Sequence, residues 1–474
     1  MSQAKQDHSG GLARKSVTPF EVGAQSVANI APSAVIAFGP GAMALSAGNG
    51  AWFSFAIGLI IVLLVAQSIS TIARRRAGAG SLYSLIRPAI GSTGTFVTGW
   101  ALFVGVIGIA SGSLAGTGFF AAKVLDKVGV KAFNGTTGQV ALDMILLAVA
   151  VYVTISSVRT AARVSATLEI ISITVIVLVL ITVMFKSGNW IDSPQISLSG
   201  AKLDGVIFAI VLAILGFVGF EGAAALGEES DDPFRAIPRA IRGGAFFAGI
   251  LYIFATYSQV AAFKGGASAL AKSGSPMDDL ASQYGLSSVE PLLNLGFAAS
   301  FLAVVMACVT VGARLLFSWG NEGLTSSWFG KAHPKHRTPA NSIYFIAPLV
   351  AIPTVWVLAS GVAPLAATTY IDTVGVFGYM LAYIIVCLGA PLFLKKINVK
   401  GVLQLWIVGI LGAASLAYVF YRNIIPVPAP PMNKLPYYFI GFMVLGFIWF
   451  AFLKVRKPAA VDLIGTFADD APIS

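Results

Sequence analysis

Apolar stretches of roughly 17 to 25 residues, almost free of charge, recur along this chain and constrain its fold more than any other feature. In a hydrocarbon core no water is present to satisfy backbone N–H and C=O groups. Such stretches must therefore be helices, with irregular backbone allowed only where it is buried in protein or lines a polar cavity. Twelve are present, over residues 19–46, 51–72, 92–122, 139–157, 165–185, 204–227, 243–263, 291–317, 342–360, 365–393, 402–421 and 436–453. Only 11% of the 474 residues are charged, against about 25% in a soluble domain, so the chain cannot cover its own surface with polar groups in water. The loop 264–290 is long enough to form a small external cap.

A net charge of +11 would suit a nucleic-acid partner if the basic residues shared one soluble face. They do not. With the N-terminus in the cytoplasm, most of the 31 Lys and Arg fall on the inner side, among them Lys5, Arg14, Lys15, Arg74 to Arg76, Lys395, Lys396, Lys400 and Lys454 to Lys457. The positive-inside bias thus predicts a multi-pass protein of the cytoplasmic (inner) membrane with both termini cytoplasmic and an even number of spans. It leaves a tail at 1–18 and another at 454–474, and no nucleic-acid partner is expected. The first eighteen residues are polar and contain no signal-peptide core. Cys308 and Cys387 lie in apolar runs and fit no metal or redox spacing, and His8, His333 and His336 lie in cytoplasmic segments, so no metal centre and no cofactor are expected.

Two stretches are interrupted. Pro32 lies deep inside the first, and proline removes an amide donor and clashes with the preceding turn, so the helix is expected to kink or open near Asn29 to Pro32. In the sixth, Gly216-Phe-Val-Gly-Phe-Glu-Gly222 sets glycines and a carboxylate where an uninterrupted apolar helix is expected. Glycine is costly in a helix interior but allows unusual torsions and close approach of a ligand to the backbone. The first and sixth helices correspond in two five-helix halves. An odd number of helices per repeat inverts the second copy, so the two breaks are expected to meet near the bilayer midplane around one site. A proline kink plus a glycine-rich packing face would also account for these features. Glu221 argues against that, because an ionisable group inside a membrane is expensive and rarely kept for packing alone.

Several stretches resemble, in order and spacing, the amino acid, polyamine and organocation permeases. They are Asn29-Ile-Ala-Pro-Ser-Ala34, Gly78-Ala-Gly-Ser-Leu-Tyr83, Gly216-Phe-Val-Gly-Phe-Glu221, the charged segment from Gly227 to Ile241, and the run from Arg314 to Gly323 with His336-Arg-Thr-Pro339. The resemblance covers Asn29 to about Leu392. It implies an all-α membrane protein with a 5+5 inverted-repeat core of the kind found in sodium-coupled neurotransmitter transporters, spanning 19–393 (repeats 19–186 and 204–393), with discontinuous helices 1 and 6 and peripheral helices at 402–453. It further implies alternating access, a small amino acid or amine as substrate, and no enzymatic activity.

The family commonly receives a substrate carboxylate on backbone amides at the first break, where this chain has Pro32, Ser33 and Ala34. Pro32 offers no amide, so carboxylate capture would rest on Ser33, Ala34 and the following half-helix, and an amine without a carboxylate stays open as substrate. The resemblance thus nominates Asn29, Ile30, Ala31, Pro32, Ser33 and Ala34 at one break, and Gly216, Phe217, Val218, Gly219 and Phe220 at the other. The aromatic-lid position falls on Leu215. Phe103 aligns with a pocket-lining position, with an ordinary core role as the alternative.

No ATP-binding Gly-x-x-x-x-Gly-Lys motif occurs, so transport is expected to be secondary. Glu221 aligns with a carboxylate that relays protons in some relatives and is assigned proton coupling or gating. Ser172 stands where sodium-independent relatives place a lysine and, with Thr310, offers oxygens for a sodium site; both hydroxyls bonding within their own helices is the alternative. Glu169 is expected near the cytoplasmic end, pairing with Arg163 only if the helix end is irregular. Asp372 is expected at an unwound start or cap of the tenth helix, a second relay being the alternative. Glu228, Glu229, Asp231 and Asp232 with Arg235, Arg239 and Arg242 form either an inner gate or a solvated loop. Proton coupling, exchange and sodium coupling therefore all stay open. A non-transporting ligand sensor is a separate class, and a channel would need a continuous polar pore that two local breaks do not supply.

Overall fold

The long apolar stretches are helical in the computed structural model, which describes Leu12, 16–399, 402–425, Val427, 430–467 and 469–470. Lys5, His8, Arg14, Lys15 and Lys400 lie outside the described residues. In chain order the helices are α1 (Pro19–Ile30), α2 (Pro32–Ala47), α3 (Ala51–Ala73), α4 (Leu82–Lys127), α5 (Thr136–Ser156), α6 (Val158–Ser187), α7 (Ser193–Ile196) and α8 (Leu203–Leu215). After a 3-10 segment at Phe220–Leu226 follow α9 (Pro233–Ala262), α10 (Gly266–Leu270), α11 (Pro276–Gln283), α12 (Glu290–Asn321), α13 (Ala340–Ala359), α14 (Pro364–Lys396), α15 (Val402–Arg422), α16 (Leu435–Arg456) and α17 (Pro458–Asp462). Among the described residues the only sheet is a two-residue antiparallel pair, β1 (Arg76–Ala77) with β2 (Asp469–Asp470).

Among the described residues, eleven stretches are long and apolar enough to cross a membrane. The first, Pro19–Ala73, is 55 residues long and holds both of the first two segments read from the sequence, separated by a 3-10 turn at Gly48–Gly50. Large apolar side chains such as Ile170, Leu178, Phe247, Ile440 and Phe447 are exposed along these helices, an arrangement that suits lipid rather than water.

The deepest helices are α12 and α14, each 72% buried along its most apolar part, whereas α5, α13 and α15 are 33% buried and α16 28%. Helices α4 and α14 approach backbone to backbone. A methyl group at Gly108 would lie 2.6 Å from the Gly375 Cα, and Gly105 and Gly378 close the same seam. Small residues permit this contact, and dispersion between the two backbones then favours it.

Local chemistry sets the helix ends. Thr18 and Glu21 form a reciprocal capping box at the start of α1, with Pro19 at the first helical position. Gly91 takes φ +71° and divides α4, so the crossing read at 92–122 begins just beyond that kink. The sequence expectation fails between Gly227 and Ile241, read as loop: α9 already starts at Pro233. Proline there occupies an N-terminal position whose amide needs no intrahelical partner, so it starts the helix rather than stopping it. The 264–290 segment carries the short helices α10 and α11. Lys123 of α4 pairs with Asp278 of α11, which also accepts from Asn294 at 3.0 Å.

Candidate functional site

The chain opens at both places where the sequence pattern broke. Ala31 adopts a left-handed conformation (φ 51°, ψ 63°) between α1 and α2, with Pro32 as the first residue of the second half-helix. Helix α8 ends at Leu215, and Gly219 takes φ +97° before the 3-10 segment. The breaks face each other and are joined by two side chains of α1: Asn29 Nδ2 donates to the Gly219 carbonyl at 2.9 Å, while its Oδ1 accepts from the Cys308 thiol at 3.2 Å. Ser26 Oγ donates to the Phe220 carbonyl at 2.6 Å. A Cβ on Gly219 would lie 2.6 Å from the Asn29 carbonyl, and one on Gly222 2.5 Å from its Nδ2, so glycine is needed at both positions for Asn29 to approach.

A cavity of about 110 Å³ lies between the breaks. Asn29, Ile30, Ala31 and Ala34 line it from the first break, and Leu215, Gly216 and Val218 from the second. Pro32, Ser33, Phe217, Gly219 and Phe220 are nominated residues that do not line it. Phe217 packs against Phe55 and Tyr252, and Phe220 against Tyr383. Phe103 is absent from the wall too: it stacks with Trp100 and Trp319 in an aromatic cluster, the core role that was its alternative. The aromatic wall comes instead from Phe55, Phe38 and Phe301, the last two stacked with centroids 6.3 Å apart. Phe38 was legible as an aromatic two turns past the break, but nothing local in the sequence marks Phe55 or Phe301.

At the first break the two amides nominated for a substrate carboxylate already have partners. Ser33 N–H donates to Glu169 Oε1 at 2.9 Å, and Ala34 N–H donates to Ser300 Oγ at 3.2 Å. Glu169 is therefore not the partner of Arg163 at the end of α6. Residue 169 lies three turns inside regular helix, and Arg163 instead meets Glu21 at 2.6 Å, joined there by Arg159 at 3.2 Å. Glu169 also lines a larger groove of about 780 Å³ between α1, α6 and α9.

Asp372 departs from expectation as well. It neither caps nor starts a helix, because α14 runs unbroken from Pro364. Asp372 lines the cavity, while its Oδ1 is packed against Gly112 of α4 and has no hydrogen-bond partner.

Glu221 is fully buried in the 3-10 segment, accepting a hydrogen bond from Tyr383, whose hydroxyl also accepts the Gly219 amide at 3.2 Å. Ser172 and Thr310 do not come together. Ser172 packs on Gly296 of α12, and Thr310 lies fourteen residues further along that helix, about 21 Å at 1.5 Å per residue. Of the charged run after the sixth segment, Glu229 finds a buried partner, but that partner is Arg314 of α12, at 2.6 Å, rather than the neighbouring arginines. Asp232 and Arg235 are 3.9 Å apart and largely exposed, a contact of little energetic weight. An arginine inside the apolar run of α12 was the available signal for the Glu229 pair.

A predominantly helical, multi-pass protein whose two interrupted helices meet at a small cavity has the architecture of an integral membrane transporter. The chain belongs to the amino acid permease family, whose profile matches residues 24–449. It is 24% identical to the branched-chain amino acid permease BcaP of Bacillus subtilis over 353 residues, 70% of this chain and 74% of that one. It is 26% identical to the low-affinity putrescine importer PlaP of Escherichia coli over 385 residues, 75% and 73% of the two chains. A third relative is the uncharacterized transporter Rv1999c of Mycobacterium tuberculosis, 24% identical over 381 residues and 79% of each chain.

Proposed function

We propose that this protein is a secondary active transporter of amino acids or related amines that works by alternating access in the cytoplasmic membrane, with both termini in the cytoplasm. The observation that carries the reading is the meeting of the two broken helices at one cavity, tied by the Asn29 to Gly219 and Ser26 to Phe220 hydrogen bonds. Half-helices joined by a few side-chain hydrogen bonds can separate on one side of a site while staying closed on the other, which alternating access requires. Counting the 55-residue first stretch as two crossings gives twelve. In this reading 19–186 and 204–393 are inverted repeats, and α15 and α16 are peripheral.

Coupling is to protons, with Glu221 as the relay. It is a buried carboxylate with Oε1 unpartnered, one residue from the break and bonded to Tyr383. A sodium site built from Ser172 and Thr310 is disfavoured by their separation. Relatives named for branched-chain amino acid and putrescine transport support both substrate classes.

The test is uptake of labelled amino acids and amines into proteoliposomes under a pH gradient, a sodium gradient, or an internal substrate pool. Accumulation driven by the pH gradient is the expected result. Accumulation driven only by sodium, or only by internal substrate, would replace proton symport with sodium symport or exchange. Binding without transport under every condition would make the protein a ligand sensor.

A further inference from the structure

The central cavity holds one charged side chain. Among its described lining residues there is no Lys, Arg or His, and Asp372 is the only acid. The position is built rather than incidental. Asp372 is 91% buried on the continuous helix α14, packed so closely on α4 that a methyl group at Gly112 would lie 2.1 Å from Oδ1. Oδ1 is sealed against α4 without a hydrogen-bond partner, the residue keeps 9% of its surface accessible, and the other polar groups lining the cavity are uncharged: Asn29, Ser113 and Thr369. A buried carboxylate without a partner is costly, and a bound cation removes that cost.

The opposite end of an α-amino acid finds no receptor here. Pro32 has no amide proton, and the Ser33 and Ala34 amides are spent on Glu169 and Ser300. A substrate carboxylate would have to displace Glu169, an anion of its own kind. The remaining wall is apolar and aromatic, with Met43, Phe38, Phe55 and Phe301, which suits an alkyl chain and the face of an ammonium ion.

Resting on the transporter reading above, we infer that the cavity selects a protonated alkylamine lacking an α-carboxylate, with Asp372 as its counter-ion and Glu169 occupying the place a substrate carboxylate would take. Asp372 is then a specificity-determining residue, and Glu169 acts by exclusion.

The experiment uses the purified full-length protein and matched pairs differing only in the carboxylate: isopentylamine against leucine, and putrescine against ornithine. Affinities are measured by titration calorimetry or ligand-dependent thermal shift, and uptake is measured in proteoliposomes. The amine of each pair is expected to bind at least tenfold more tightly than its amino acid. Asp372→Asn should weaken amine binding on the order of a hundredfold, because it removes one partner of a buried charge pair. If that variant does not fold, Glu169→Ala carries the test. It frees the Ser33 amide and should raise leucine affinity relative to isopentylamine, a gain that misfolding cannot produce.

Amino acids that bind and are transported in preference to their amines would overturn the selectivity while leaving the transporter standing. An unchanged amine affinity in Asp372→Asn, or an unchanged ratio in Glu169→Ala, would remove that residue's role. If neither class binds nor crosses, this inference and the transporter reading fall together.

Discussion

Arg314 Nη2 meets Glu229 Oε1 at 2.6 Å, with a second contact from Nε to Oε2 at 3.4 Å, and both side chains are almost wholly excluded from solvent. The pair joins the segment after the second break to α12. Glu229 also holds the N-terminal segment, its carbonyl accepting the Ser16 and Val17 amides at 2.8 and 3.0 Å. Removing one partner leaves the other charge buried and alone. Arg314→Ala or Glu229→Ala is therefore expected to cost about 3 kcal/mol or more. A double-mutant cycle on thermal stability checks this, and additive single effects would show that the pair is not coupled.

Asn29 and Gly219 form the joint between the two breaks. Gly219→Ala puts a side chain on a residue at φ +97° and a methyl group 2.6 Å from the Asn29 carbonyl. Backbone strain of this kind costs on the order of 1–3 kcal/mol, and the clash adds to it. The variant is expected to melt lower and to lose uptake. Asn29→Ala should fold with a smaller loss while also losing uptake. Full transport activity in Asn29→Ala would show that the joint is packing alone.

Glu221→Gln keeps the shape of the side chain and the Tyr383 contact but cannot exchange a proton. If Glu221 is the relay, the variant loses accumulation driven by an imposed pH gradient while retaining substrate binding within a few-fold. Proteoliposome uptake at matched substrate occupancy reads this directly. Retained pH-driven accumulation would remove Glu221 from the coupling role.

Glu322, just beyond the end of α12, anchors the C-terminal tail. It accepts from the Phe467 amide at 3.1 Å and from the Tyr83 hydroxyl, which in turn accepts the Gly465 amide at 3.1 Å. Burial pushes its carboxyl up from 4.5 to about 7, with the Tyr83 hydrogen bond opposing the rise. The docked tail therefore holds a proton that an undocked tail releases. The resulting stabilisation is complete below about pH 4.5 and is lost as pH rises through 7. Hydrogen exchange over 463–467, corrected for intrinsic rates, should show greater protection at pH 5.5 than at pH 8. Glu322→Gln should flatten that difference, and an equal pH response in the variant would assign it to another group.

Much of this was legible along the chain. Pro32 and the glycines at 216, 219 and 222 located both openings, because a missing donor and a missing Cβ act on the residues next to them. The glycines are needed for a reason that sequence does not carry, namely the approach of Asn29 from 190 residues away. The start of α9 at Pro233 was not legible, because proline both stops helices and starts them, and only the packing of the following turns decides which. The cavity wall fared worse: Phe103, Phe217 and Phe220 are aromatics in the right helices that turn to other neighbours.

By itself the sequence determined the solvent, the helical class, the places where helices open and the family, since each depends on the composition or spacing of neighbouring residues. Tertiary structure alone decided which polar groups meet. Glu169 reaches Ser33 across 136 residues, Glu229 chooses Arg314 over nearer arginines, and Asp372 comes to line the cavity. In a low-dielectric interior each buried charge is held by whatever donor packing brings within about 3 Å, and distance along the chain says nothing about that.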